Sequence, residues 1–255
     1  MRVFAYSSLC CKYIDDVILT ALKNKYKAIE WDFDFIPPTL SEIRTNQIIS
    51  DIKKNNLQIR YHLPHSYIEI AHPNSTICDL SVRIIKSYLE FIHNMGGEYA
   101  ILHVGYLENS IFEVGIKKLT EIASFAKSLN IKICVENLIK GLTTNISFLK
   151  EALLIDNVFF SFDIGHAKIA TKNDKALLSV YKHLLESQKC VHSHLYLSED
   201  EKTNHLAFSS PNELEEVILL EELLSSNCQW LTMELDRLDL QKNQIRILEN
   251  YCNRN

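Results

Sequence analysis

The chain has 255 residues, of which 47% are apolar and 23% charged, and a net charge of −5, the balance of a globular protein able to bury a sizeable core. The acidic excess argues against a surface built to hold a polyanion by its phosphates, and no run reaches the roughly 18 apolar residues of a membrane-spanning helix. Seven cysteines without a CxxC spacing exclude a disulfide scaffold and suit a reducing compartment, with Cys134 and Cys190 read as buried free thiols.

The first residues, Met1-Arg2-Val3-Phe4-Ala5-Tyr6, lack the apolar core of a signal peptide, so a cytoplasmic location is expected. Glycine and proline are scarce, at 6 and 5, which leaves no long linker and predicts one domain over residues 1–255. Short β-branched or aromatic runs then alternate with amphipathic segments. A strand is predicted at 3–7. Ile14, Val17, Ile18, Ala21 and Leu22 follow at helical spacing over 13–25. A strand at 28–33 leads to a helix at 40–55, capped by Thr39 or Ser41. A strand at 58–62 precedes a helix from about Cys78 to Met95, closed by Gly96-Gly97. Strand 99–104, helix 111–129, strand 131–136 and helix 146–154 come next. Strand 158–163, helix 174–187 and strand 190–196 follow. A helix is expected from Pro211, a favourable first-turn residue, to Ser225, then a strand at 231–235 and a last helix at 240–253. Eight strands alternating with eight helices predict parallel pairing through right-handed crossovers and an α/β fold, a (β/α)₈ TIM barrel. An open doubly wound sheet would need no count of eight, and no Gly-rich dinucleotide fingerprint follows the first strand.

Ionisable residues collect at the strand ends: Glu30, His62, His103, Glu136, Asp163, His194 and Glu234, with His166 three residues after Asp163 and His205 in the loop after the seventh strand. In a barrel these ends converge on one mouth. A carboxylate ending an apolar strand such as Ile133-Cys134-Val135-Glu136 is costly unless paired or coordinated, and a divalent cation neutralises several at once. Each residue also has a plainer reading. His62 and His103 alone would more often be hydrogen-bonded rim histidines. Glu30 could pair with a neighbouring Lys or Arg. His192, two residues before His194 and on the same side of its strand, reads as a deeper supporting residue. Glu199-Asp200-Glu201-Lys202 reads as a solvated loop, and His65, His72, His93 and His183 as loop or helix-surface residues.

Five pieces in order resemble a known group: His62-Leu63-Pro64, Val135-Glu136-Asn137, Phe162-Asp163-Ile164-Gly165-His166-Ala167, His194-Leu195-Tyr196 and Glu234-Leu235-Asp236. Over essentially its whole length the chain resembles the xylose-isomerase-like barrel superfamily. That superfamily joins sugar isomerases and epimerases, inosose and dehydroshikimate dehydratases, and endonuclease IV. The resemblance implies a divalent ion, Mn²⁺, Mg²⁺, Co²⁺ or Zn²⁺, on Glu136, Asp163, His194 and Glu234. On the endonuclease IV pattern, His62 and His103 would join Glu136 around an additional ion. His166 and His205 would join an aspartate around another, but that position is Thr203 here. The tyrosine that wedges DNA in the nuclease is replaced by His65.

Two activities follow from the resemblance. The first is an isomerase or epimerase of a small sugar, sugar phosphate or polyol, acting through a metal-stabilised enediolate. Glu136 and Glu234 would transfer protons, His166 would hold a hydroxyl, and His62, His103 and Glu30 would contact the substrate. A dehydratase would use the same parts. The alternative is a zinc-dependent abasic-site endonuclease or phosphodiesterase, the only reading in which nucleic acid is a partner. A barrel that kept its fold and lost its chemistry is disfavoured by the complete ligand set. No membrane partner is expected, and pairing with a second copy agrees with the habit of relatives.

Overall fold

Eight parallel strands pair in chain order and close on themselves, the eighth against the first. The computed structural model describes residues 2–35, 37, 42–172, 174–199 and 205–253. The strands are β1 (Val3–Ser7), β2 (Ala28–Asp32), β3 (Gln58–His62), β4 (Tyr99–Leu102), β5 (Lys132–Glu136), β6 (Val158–Asp163), β7 (Cys190–Leu195) and β8 (Trp230–Met233). Around them lie α1 (Ile14–Lys23), α2 (Glu42–Lys54), α3 (Ser75–Asn94), α4 (Phe112–Ser128), α5 (Ile146–Ala152), α6 (Ile164–Thr171), α7 (Lys175–Glu186), α8 (Leu220–Ser225) and α9 (Leu238–Cys252). This is a (β/α)₈ barrel, as expected. Among the described residues no helix is long and apolar enough to cross a membrane.

The amphipathic stripes find their place between helix and barrel. Ile14, Val17, Ile18 and Ala21 of α1 are buried, as are Ile85, Leu89 and Ile92 of α3 and Leu119, Ile122, Ala123 and Ala126 of α4. Burying such side chains contributes about 1.5–3 kcal/mol each, which is why the helical period is legible in the sequence. At the lower end of the barrel Arg60 is buried. Its guanidinium lies over the rings of Tyr99 (3.9 Å) and Trp230 (4.6 Å) and donates to the Val191 carbonyl at 2.8 Å. Cation–π contacts and one charge-assisted bond thus plug the end away from the mouth.

Two predicted elements differ, and one helix is additional. α3 starts at Ser75, because Asn74 accepts the backbone N–H of Thr76 and caps it three residues before the expected start. The segment from Pro211 does not run as one helix. It makes a 3-10 turn at Pro211–Glu216, Leu219 takes a left-handed backbone with φ +55, and only then does α8 begin. A helix not foreseen, α6, opens directly on the Asp163-Ile164-Gly165-His166 stretch. The caps proposed at Thr39 and Ser41 lie outside the described residues.

α9 closes the barrel seam. The buried side chain of Gln241 accepts from the Ser7 N–H (3.0 Å) and donates to the carbonyls of Ser7 and Leu235, joining the end of β1 to the chain just after β8. Gln244 does the same for Phe208 N–H (3.2 Å) and Leu195 carbonyl (2.7 Å). Gln241→Ala would leave these buried backbone groups unpaired, at about 1–3 kcal/mol for each group that water cannot reach. The expected outcome is a fall in the urea midpoint equivalent to at least about 2 kcal/mol with an unchanged slope. A variant as stable as the parent would show that the seam does not depend on this side chain.

Candidate metal centre

The register brings acidic and imidazole side chains from separate strands side by side at the upper end. Asp32 is level with His62, Asp163 with His194, and His194 with Thr232. Alternation sends every second side chain into the barrel. Hence Glu30 and Asp32 share a face, as do His192 and His194, and in each pair the second residue stands nearer the mouth.

His194 Nδ1 is the centre of the cluster. It lies 3.4 Å from Glu136 Oε2, 3.5 Å from Asp163 Oδ2 and 3.3 Å from Glu234 Oε2. Its other nitrogen, Nε2, is 2.9 Å from Glu30 Oε1 and donates there. That bond turns Nδ1 toward the three carboxylates. Among the described residues, His194 Nδ1 and Asp163 Oδ2 are fully buried without a hydrogen-bond partner. Orphaned buried polar atoms are rare and call for a missing partner. Donor atoms around a tetrahedral ion with bonds of about 2.0–2.2 Å stand about 3.4 Å apart, which matches the three distances from His194 Nδ1, and ligand atoms of Asp163, His194 and Glu234 all lie within 4.8 Å of one another. Three carboxylates and one imidazole fit a hard or borderline divalent cation.

Glu30 is placed differently from the expectation that it touches a substrate. β2 continues two residues further on the same face, so Glu30 sits one layer below the mouth. There its Oε2 accepts from His192 Nε2 (2.7 Å) and Thr232 Oγ1 (3.0 Å) while Oε1 accepts from His194. His192 Nδ1 in turn pairs with the Ser161 hydroxyl at 2.7 Å. Both are support for His194, of the kind that fixes a ligand's tautomer and ring orientation.

A second group lies beside the first. Glu136 Oε2 is 3.3 Å from His62 Nε2 and 3.5 Å from His103 Nε2, and the latter is another buried nitrogen without a hydrogen-bond partner among the described residues. His62 Nδ1 is 3.1 Å from the Leu63 carbonyl and 3.8 Å from Asp32 Oδ2. His166 Nδ1 lies 3.0 Å from the Asn137 carbonyl and 3.2 Å from Glu136 Oε1. Its Nε2 is 3.4 Å from Glu199 Oε2, which is also 3.9 Å from His205 Nε2. Thr203 lies outside the described residues.

Five residues have places in the site that the sequence did not assign. Asp32 was hidden by the choice of Glu30, although the period of two makes it the strand-end residue. Glu199 was read as part of a solvated charge run, but its carboxylate faces His166 and His205. Asn137 bridges β5 to β6, its Oδ1 accepting from Asp163 N–H (2.9 Å) and its Nδ2 donating to the Asp163 carbonyl (2.8 Å). Tyr196 donates its hydroxyl to Asp163 Oδ1 at 2.7 Å. Asp163 Oδ1 also accepts the His166 N–H (2.6 Å) as the cap of α6, so this side chain is held from two directions and its backbone from a third. His65, read as a loop residue, lines the cavity, with Nε2 2.9 Å from Asp34 Oδ2 and its ring stacked on His103 at 4.5 Å.

Burial and charge pull these groups apart. Burial would raise Glu136, but His194 and His103 hold it well below the usual carboxylate range. Burial pushes Glu234 up to about 8, only partly opposed by His194. Against burial, the nearby carboxylates raise His62 to about 10 (Asp32, then Glu136) and His166 to about 10 (Asp163, then Glu136). Burial lowers His103 and His205 to about 4.

Comparison with known proteins places the fold. The Xylose isomerase-like TIM barrel family matches residues 19–250. The chain belongs to this family. It is 28% identical over 202 residues to the uncharacterized protein MJ0008 of Methanocaldococcus jannaschii, covering 78% of this chain and 82% of that one. Among solved structures, a D-tagatose 3-epimerase-like protein superposes with a TM-score of 0.78 at 21% identity, covering 99% of this chain and 97% of the other. Endonuclease IV from Thermus thermophilus superposes with a TM-score of 0.73 at 14% identity over 100% of both chains. D-psicose 3-epimerase from Clostridium cellulolyticum gives 0.68 at 13% identity, covering 99% of each. At these identities the likeness is one of fold, and it spans epimerases and a nuclease alike.

Two outcomes follow for metal binding. A Cβ on Gly165 would run into the Tyr196 ring, so Gly165→Ala should dislodge Tyr196 from Asp163. Titration calorimetry should then show Mn²⁺ affinity reduced about 10–100-fold with the barrel still folded, the usual loss when a ligand's supporting bond goes. The second concerns protons. Glu234, raised to about 8 by burial, and His194, raised against burial to well above its ordinary value by Glu234 and Glu30, hold protons at neutral pH that a cation on these residues must displace. Affinity should therefore climb with pH, by roughly tenfold or more from pH 6 to pH 8, with proton release on binding. A pH-independent affinity would contradict the assignment.

Proposed function

We propose that the chain is a divalent-metal-dependent isomerase or epimerase of a small polyhydroxylated carbonyl compound. One observation carries the reading. Two unsatisfied buried atoms, His194 Nδ1 and Asp163 Oδ2, converge with oxygens of Glu136 and Glu234 at 3.3–3.5 Å from the imidazole. This happens at the floor of a cavity that Glu136 and Glu234 line.

Glu136, Asp163, His194 and Glu234 would hold the ion. When bound, it supplies Lewis-acid stabilisation of the negative charge that develops on adjacent carbonyl and hydroxyl oxygens. The chain does the rest. Glu136 and Glu234 enter the cavity from β5 and from the chain after β8, so a substrate between them meets a carboxylate on each side. One would take the proton from the carbon beside the carbonyl and the other return one, which gives epimerisation when the faces differ. His166, anchored through Nδ1 to the Asn137 carbonyl, presents Nε2 to a substrate hydroxyl. Asn137 and Tyr196 would keep Asp163 in place without touching substrate.

A second reading, zinc-dependent phosphodiester hydrolysis as in endonuclease IV, is favoured by the additional donor groups: His62, His103 and Glu136 on one side, and His166, His205 and Glu199 on the other. It is opposed by the cavity wall, in which no described residue is Lys or Arg. Metal analysis of the purified chain separates the two, with one ion per chain expected here and two or three for the nuclease. Solvent deuterium should exchange into the carbon-bound position of at least one ketose in a panel, and Glu136→Gln should lower that rate about 100-fold or more along with metal content. Failure of every ketose to exchange in metal-loaded protein, together with nicking of an abasic duplex, would replace the first reading by the second.

A further inference from the structure

The cavity above the candidate metal centre has a volume of about 750 Å³, within the range of sites that enclose drug-sized ligands. A six-carbon sugar leaves much of it empty. Its wall changes character with height. The floor is polar, built from Asp32, His62, His103, Glu136, His166 and Glu234. The mouth is apolar, with Leu9, Phe35, Tyr67, Ile77, Tyr106 and Leu107 around it.

Three aromatic rings of that mouth are exposed, Phe35 at 58%, Tyr67 at 102% and Tyr106 at 40% of their full area. They come from three successive connections, after β2, β3 and β4, so the chain has brought them together from distant positions. Single exposed apolar residues are ordinary, but a ring of them at the rim of a cavity marks a binding surface. Tyr67 is also held with φ +63. A bulky residue in the left-handed region costs of order 1 kcal/mol or more and persists where position matters.

Charge gives the second constraint. The described lining includes five carboxylates, Asp32, Glu69, Glu136, Glu199 and Glu234, and no Lys or Arg. Lys140 keeps its ammonium over the Tyr106 ring at 4.3 Å without joining the wall. A phosphate at the far end of the substrate, away from the imidazoles and the ion site on the floor, would find no guanidinium or ammonium in the described wall, Lys140 being engaged on Tyr106 outside it, and an anion left without such a partner is disfavoured.

Resting on the isomerase reading above, we infer that the substrate is an uncharged polyhydroxylated carbonyl compound with an aromatic or apolar group at its far end. That group stacks in the mouth on Phe35, Tyr67 and Tyr106, and phosphate esters are rejected. Offset or edge contacts with two or three rings add to the area they bury.

The test uses the full chain loaded with Mn²⁺ and three probes: a free ketohexose, its 6-phosphate ester and its 6-O-benzyl ether. Calorimetry should give the benzyl ether an affinity at least about tenfold above the free sugar, as burial of one aromatic ring allows. The phosphate should bind at least about tenfold more weakly than the free sugar, from uncompensated charge. Phe35→Ala and Tyr67→Ala, both at exposed positions, should each cut the benzyl-to-free ratio several-fold while retaining the parent's metal content. A phosphate that binds tighter than either neutral probe overturns the inference, and so does a benzyl ether no better than the free sugar. Deuterium exchange on the same probes judges the isomerase reading separately. Selective binding without exchange removes that reading and keeps the pocket's preference, whereas exchange without aryl preference does the reverse.

Discussion

Everything at the cavity floor depends on keeping Glu30, Glu136 and Asp163 ionised where burial favours the proton. Glu30, Asp32, Glu136, Asp163 and Glu234 are all buried, and an isolated buried carboxylate would rather take up a proton than stay charged. The barrel meets this cost with imidazoles. His194 stands between Glu30 below and three carboxylates above, and it sets the geometry of both layers. Its bond to Glu30 decides which nitrogen faces the mouth, so a residue without access to the cavity determines the chemistry inside it. What imidazoles leave unsatisfied, His194 Nδ1 and Asp163 Oδ2, is the demand that a divalent cation would meet.

Asp163 shows how one side chain can serve fold and site together. Its Oδ1 caps α6 and accepts from Tyr196, while its backbone is clamped to Asn137 on the neighbouring strand. These bonds use one oxygen and leave the other aimed at His194. The glycine that follows lets the Tyr196 ring approach, and His166, at the third helical position, rises beside Glu136. The stretch from Asp163 to His166 is therefore a small machine for aiming an oxygen, and its residue types follow from that geometry.

The parts of this that were legible in the sequence are those set by periodicity and by cost. Strands announced themselves through apolar runs, helices through stripes such as that of α1, and carboxylates at the ends of apolar strands through the improbability of burying them for nothing. What stayed hidden was relational. Asp32 and Glu30 share a face two residues apart, and the register with β3, which pairs Asp32 with His62, shows how far each reaches. Glu199 sits in a run of charges that looks solvated until its carboxylate is found 3.4 Å from His166 Nε2. Asn137 and Tyr196 act through bonds to a backbone and a carboxylate on other strands, which no local pattern encodes. The single helix expected from Pro211 to Ser225 is broken at Leu219, a good helix former that takes a left-handed backbone against its propensity.

The barrel also separates what is fixed from what is free. The floor is carried by strand ends, which pair on both sides and hold their side chains to a common lattice. The mouth is carried by connections, which can vary in length and residue without disturbing that lattice. Epimerases and endonuclease IV share this fold with the chain, so family membership constrains the floor and leaves the substrate open. Substrate choice must then come from the upper wall. In this chain that wall is aromatic and, among its described residues, free of Lys and Arg, a combination that favours a neutral, partly apolar ligand over a polyanion whatever reaction the floor performs.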